Sequence, residues 1–98
     1  MYLIKFSKQA EKDKPRLKAA GLETKAKALL NLMQDNPFQT PPPYEKLVGN
    51  LSGNLSRRIN IQHRLVYAVL ENSEGYAAPT EELYDGIILV KRMWTHYE

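Results

Sequence analysis

Hydrophobic and polar positions follow two rhythms along this chain, helical in the first third and alternating in the second half. The run "YLIKF" at 2–6 is short, apolar and β-prone, and predicts an opening strand. Ser7 then supplies an N-cap, with Ala10, Leu17 and Ala20 expected on the inner side of a helix and Gly21 as its stop. Pro15 lies inside that span, where it removes a donor and crowds the preceding turn, so the helix is expected to be kinked or to start later than Ser7. From Leu22 to Asn36 the helical signal is cleaner: Leu22, Ala26, Leu29, Leu30 and Met33 recur at helical spacing, with Glu23, Lys25, Lys27 and Gln34 mostly elsewhere. Two helices meeting at Gly21 predict a helical hairpin.

The stretch "NPFQTPPPYEK" stops the helical rhythm, because its four prolines favour extended, stiff backbone. After the turn-rich "GNLSGN", the runs "LSRRINI" and "HRLVYAVL" alternate in strand fashion around a tight connection, and "GIILVKRMW" at 86–94 predicts a last strand. Between them "ENSEGYAAPTEELYD" reads as a long polar hairpin loop. The order β-α-α-β-β-β predicts an α+β fold: a mostly antiparallel twisted sheet with helices packed on one face. Residues 1–98 are expected to form a single domain.

Composition narrows the function classes. The apolar fraction (43%) and charged fraction (26%) are those of an ordinary soluble protein. No apolar run is long enough to span a bilayer, and no signal peptide is expected at the start, so a cytoplasmic location is the expectation. There is no cysteine, hence no disulfide framework or thiolate chemistry, and two histidines without clustered carboxylates make a metal site unexpected. No cofactor is expected. The net charge of +3 is unevenly spread. Residues 5–27 hold eight Lys or Arg against three acids; residues 46–70 hold Lys46, Arg57, Arg58 and Arg64 with no acid; residues 71–86 hold five acids and no base. Such a distribution either draws a polyanion to one face or is simply an uneven solvated surface.

Several polar residues stand out. Glu45 follows three prolines and Tyr44; taken alone it is a solvent-facing loop carboxylate. Arg57, Arg58 and Arg64 lie on neighbouring strands of one hairpin, either as exposed arginines that keep the sheet soluble or as a phosphate-binding group. Which of them share a face depends on the register at Asn60–His63, which the sequence leaves open. His63 itself reads as a turn residue. His96 and Tyr97, just behind Trp94, either close the edge of the core or belong to a site. A carboxylate, arginines and a histidine are the set that a metal-independent ribonuclease uses. RNA supplies its own nucleophile in the 2′-hydroxyl. A base takes that proton, an acid protonates the departing 5′-oxygen, and a cation steadies the charge on the phosphate.

The segment "EKLVGNLSGNLSRRINIQHRLVYAV" (45–69), together with the closing "HY" (96–97), resembles the YoeB family of toxins within the wider RelE/ParE superfamily of toxin–antitoxin systems. The resemblance implies a RelE-like fold and a ribosome-dependent endoribonuclease, an mRNA interferase. It would cut mRNA in the ribosomal A site, among rRNA, and leave a 2′,3′-cyclic phosphate and a 5′-hydroxyl, so inhibiting translation. By the same resemblance Glu45 is the general base, His96 the general acid and Arg64 the phosphate stabiliser. Tyr97 would orient the substrate or the imidazole, and Arg57, Arg58 and Lys46 would be RNA- or phosphate-binding. The implied partners are mRNA and the ribosome, a YefM/Phd-type antitoxin, and operator DNA only through the antitoxin complex. A homodimer is open, and no membrane is involved.

Three positions depart from the family pattern. Val48 stands where a lysine is common, with Lys46 as the nearby substitute. Glu98 follows the terminal Tyr, and its carboxylates are expected to favour the imidazolium form of His96. The acidic loop at 71–86 is longer than the usual turn and is expected to point away from an RNA-binding face. Two other readings are a ParE-like inhibitor of DNA gyrase on the same fold and an inactive scaffold derived from a toxin.

Overall fold

The computed structural model describes residues 1–94; residues 95–98, and with them the candidates His96 and Tyr97, lie outside the described residues. In chain order the elements are β1 (Leu3–Phe6), α1 (Lys8–Ala19), α2 (Glu23–Asp35), β2 (Glu45–Lys46), β3 (Leu55–Arg58), β4 (Arg64–Leu70) and β5 (Ile87–Arg92). The strands form one sheet in the order β1-β5-β4-β3-β2. β1 pairs with β5 in parallel, and the other three pairings are antiparallel. The expected α+β architecture, with its mostly antiparallel sheet and helical hairpin, is the one observed.

α1 starts where its cap predicts. The Ser7 hydroxyl accepts the Ala10 N–H at 3.0 Å, and the helix runs from Lys8 through Pro15 to Ala19. Pro15 does not delay the start. The carbonyl it deprives of a helical donor is that of Glu11, and both residues are exposed, so water can satisfy it. Gly21, at φ +74°, makes the left-handed stop, and Leu22 N–H returns to the Leu17 carbonyl at 2.9 Å. The inner face of α1 is Ala10, Asp13 and Leu17; Ala20, expected there, is exposed. With Leu22, Ala26 and Met33 of the second helical segment, Ala10 and Leu17 cover Leu65, Tyr67, Ile88 and Val90 of the sheet.

The strands are shorter than the sequence pattern. β3 ends at Arg58 because Asn60 turns the chain: its Oδ1 accepts the N–H groups of Gln62 and His63 at 2.9 and 2.7 Å. Ile59 N–H reaches the His63 carbonyl at 2.9 Å and closes the hairpin with Arg58 opposite Arg64. β2, which no alternating run predicts, is only two residues long. Pro41, Pro42 and Pro43 have no N–H to give a ladder, so pairing starts only after them, with Glu45 opposite Ser56 and Lys46 opposite Leu55. The pairing of β4 with β5 slips between Val66 and Tyr67, whose partners are Arg92 and Val90, leaving Lys91 as the extra residue of a bulge. Ser7 Oγ donates to the Lys91 carbonyl at 2.8 Å, so one hydroxyl serves both the helix cap and the bulge.

Candidate active site

Direct cross-strand partners project to the same side of a sheet, as do residues two apart on one strand. The register therefore places Glu45, Ser56, Arg58 and Arg64 together on one face. Their contacts agree with that placement. Arg64 donates through Nη1 to Ser56 Oγ at 3.1 Å, and its Nη2 lies 3.3 Å from Glu45 Oε1. The Arg64 side chain is mostly covered (11% exposed) whereas Glu45 is open (64%). Such a half-exposed pair contributes about 1 kcal/mol at most, so Glu45 is held loosely enough to exchange partners. Arg58, exposed, faces Arg64 directly across the hairpin. Like charges so placed repel, and one carboxylate does not balance both.

Two expected cations are not part of this face. Arg57 points to the other side and is fully buried. Its guanidinium donates to the carbonyls of Pro42 (2.6 Å), Pro37 (3.0 Å) and Gln39 (2.8 Å) and to the Tyr67 hydroxyl (3.1 Å). The Tyr44 ring lies 5.1 Å from the guanidinium carbon. Four of the five guanidinium N–H groups are engaged by these oxygens and the side chain is covered, so the expectation that Arg57 binds RNA is corrected to a bracing role for the proline-rich segment before Glu45. Burial pushes the Tyr67 phenol up despite the adjacent guanidinium, keeping it neutral to donate to the Pro37 carbonyl at 3.0 Å. Lys46, next to Glu45 on β2, falls on the opposite face by alternation. There it lines a shallow cavity of about 290 Å³ with Phe38, Leu47, Asn54 and Leu55. Val48, two residues on, is exposed and uncharged.

His63 is buried, with its ring stacked on the Trp94 indole at 3.8 Å and 17°. It is thus a packing residue as well as a turn residue. Ser56 and Asp13 were missed by sequence reasoning. For Ser56 the only signal is its place two residues before Arg58. For Asp13 the signal is phase: it falls between Ala10 and Leu17 on the apolar stripe of α1, where a charge needs a partner. Among the described residues, no group of three His, Asp or Glu side chains could hold a metal ion.

A helical hairpin on a small mixed sheet, with Glu45, Arg58 and Arg64 on one face of its strands, has the architecture of the RelE/ParE class. The YoeB/ParE toxin from Agrobacterium tumefaciens has this fold, with a TM-score of 0.77 over 97% of this chain and 99% of that one at 23% identity. The family model for the YoeB-like toxin of bacterial type II toxin–antitoxin systems matches residues 6–77, and the chain belongs to that family. It is 45% identical over 54 residues to Toxin YoeB of Escherichia coli (strain K12), a match spanning 55% of this chain and 64% of that protein. YoeB from Staphylococcus aureus, solved as a dimer, is 31% identical with a TM-score of 0.72 over 98% of each chain. In a heterotetrameric YoeB–YefM complex the agreement is 29% identity and a TM-score of 0.70 over 99% of each chain.

Proposed function

We propose that this toxin is a ribosome-dependent, metal-independent endoribonuclease acting as one domain in the cytoplasm, cutting mRNA presented in the A site. The observation that carries this reading is the Arg64 guanidinium set between Ser56 and Glu45, with Arg58 directly across the strand pair. A backbone phosphate replaces Glu45 as the partner of Arg64 Nη2 while Ser56 keeps Nη1 fixed. The freed carboxylate then takes the proton of the 2′-hydroxyl. O2′ attacks phosphorus, and Arg64 and Arg58 stabilise the charge gathering on the non-bridging oxygens. His96, from the C-terminal segment, gives a proton to the departing 5′-oxygen, with Tyr97 orienting it. The products are a 2′,3′-cyclic phosphate and a 5′-hydroxyl.

Membership in a toxin–antitoxin family supports an antitoxin partner, of YefM/Phd type, that covers this face and carries any operator binding. The Staphylococcus aureus dimer supports self-association. Primer extension on translated mRNA tests the reading. The wild type cuts within codons, and Glu45→Ala, Arg64→Ala and His96→Ala each cut about 100-fold more slowly or not at all. Full cleavage by all three variants overturns it. Removing only residues 96–98 is expected to abolish growth arrest and leave the far-UV spectrum unchanged.

A further inference from the structure

Trp94, the last described residue, is held by three different parts of the fold. Its N–H donates to Asp13 Oδ2 at 3.3 Å, its carbonyl accepts Arg92 Nη2 at 2.9 Å, and its ring stacks on His63 of the β3–β4 hairpin. Asp13 lies at the centre of this arrangement. Its side chain is fully buried, and the same Oδ2 also accepts Met93 N–H at 2.9 Å and Arg92 Nε at 3.1 Å, while Gln9 reaches Oδ1 at 3.4 Å. A buried carboxylate is costly unless its partners are good, and here the partners are the backbone leaving β5. A helix packed on this sheet needs only an apolar residue at that position, as Ala10 and Leu17 supply on either side. Met93, which follows the bulge, drops into the core instead of continuing the ladder.

We infer that Asp13 is a positioning residue for the general acid: it fixes the exit of the chain from β5, so that the segment carrying His96 starts from a Trp94 held against the β3–β4 hairpin. The inference rests on the ribonuclease reading above and deepens it. His63, which stacks on Trp94, is the neighbour of Arg64 in the chain. Two further residues span about 7 Å at most, so the placement of Trp94 sets how far His96 can lie from the phosphate site. Arg57 does for the segment leading to Glu45 what Asp13 does for the segment leading to His96.

Trp94 is the sole tryptophan, so its fluorescence reports on the clamp apart from activity. Asp13→Asn keeps the shape and loses the charge. The expected result is red-shifted, more readily quenched Trp94 emission with an unchanged far-UV spectrum at the assay temperature. With it, the single-turnover cleavage rate falls about ten-fold or more, while half-saturation by ribosomes stays within about two-fold. Asp13→Glu should not restore the rate, since a longer side chain shifts the anchored backbone. If Asp13→Asn does not fold, Arg92→Met carries the test at a side chain that is 31% exposed, with the same changes in smaller measure. Unaltered emission with full cleavage overturns the inference, as does freed Trp94 emission with full cleavage. A wild type that cuts no translated mRNA removes the ribonuclease reading instead, and the fluorescence still decides whether Asp13 holds Trp94.

Discussion

Arg57 and Arg58 are neighbours with opposite roles, because strand alternation turns one into the protein and the other to solvent. Removing the Arg57 side chain leaves the Pro42 and Gln39 carbonyls without that donor, and the Pro37 carbonyl with the Tyr67 hydroxyl alone. Arg57→Ala is therefore expected to cost about 3 kcal/mol or more in urea unfolding. Arg58→Ala should change stability by no more than about 0.5 kcal/mol and yet slow cleavage about ten-fold. Equal effects of the two on stability would contradict the assignment. Asp13 adds a pH dependence. Burial alone would raise its carboxyl, but the Met93 N–H, then Arg92 and Gln9, outweigh burial and hold it below the ordinary range. The folded state thus binds fewer protons there than the unfolded chain. The stabilisation is complete above the unfolded value of about 3.9 and is lost as pH falls through the lower folded value. The gap in Tm between wild type and Asp13→Asn should be full near neutrality and narrow below about pH 4. A gap that stays constant into strong acid would exclude this role.

Among the elements, those with a strong local signal were legible in the sequence. The Ser7 cap, the Gly21 stop, the apolar period of α2 and the β-branched runs of β4 and β5 all reappear in the fold. What could not be read depends on partners distant in the chain. β2 exists only because β3 offers a ladder after the prolines end, and the bulge at Lys91 only because β4 and β5 run out of step. The face shared by Glu45, Arg58 and Arg64 likewise needed the hairpin register, which the Asn60 turn decides. Asp13 was hidden among the charges of α1 because its partners lie 79–81 residues away. One glycine carries a testable constraint at this scale. A Cβ at Gly86 would lie 2.8 Å from the Leu70 carbonyl oxygen and 2.9 Å from the Tyr2 ring. The carbonyl belongs to β4 and cannot swing aside, so Gly86→Ala should lower stability by about 1–3 kcal/mol in thermal or urea unfolding. A neutral substitution would show that the start of β5 is looser than described.

Across the whole molecule, charge is sorted by position. Arg64 begins β4 and Leu70 ends it, so the acidic loop leaves the sheet about 20 Å along the strand from the arginines. The loop is tied at its own end: Lys5 Nζ donates to the Tyr76 hydroxyl at 3.1 Å, and Asn72 Nδ2 donates to the carbonyls of Tyr76 and Tyr84. Under the proposed ribonuclease reading, this separation keeps the loop's negative charge away from the RNA. Replacing residues 73–83 with a short turn should leave ribosome-dependent cleavage within about three-fold of wild type. A loss of activity would place the loop in the functional surface.

In the proposed mechanism Glu45 activates a 2′-hydroxyl of the mRNA itself. Ribosomes programmed with an mRNA carrying a single 2′-deoxy nucleotide on the 5′ side of the scissile phosphate test it most directly. The toxin is expected to cut the all-ribose message to a 2′,3′-cyclic phosphate and to leave the deoxy-substituted position intact. Cleavage of both messages at equal rates would contradict it.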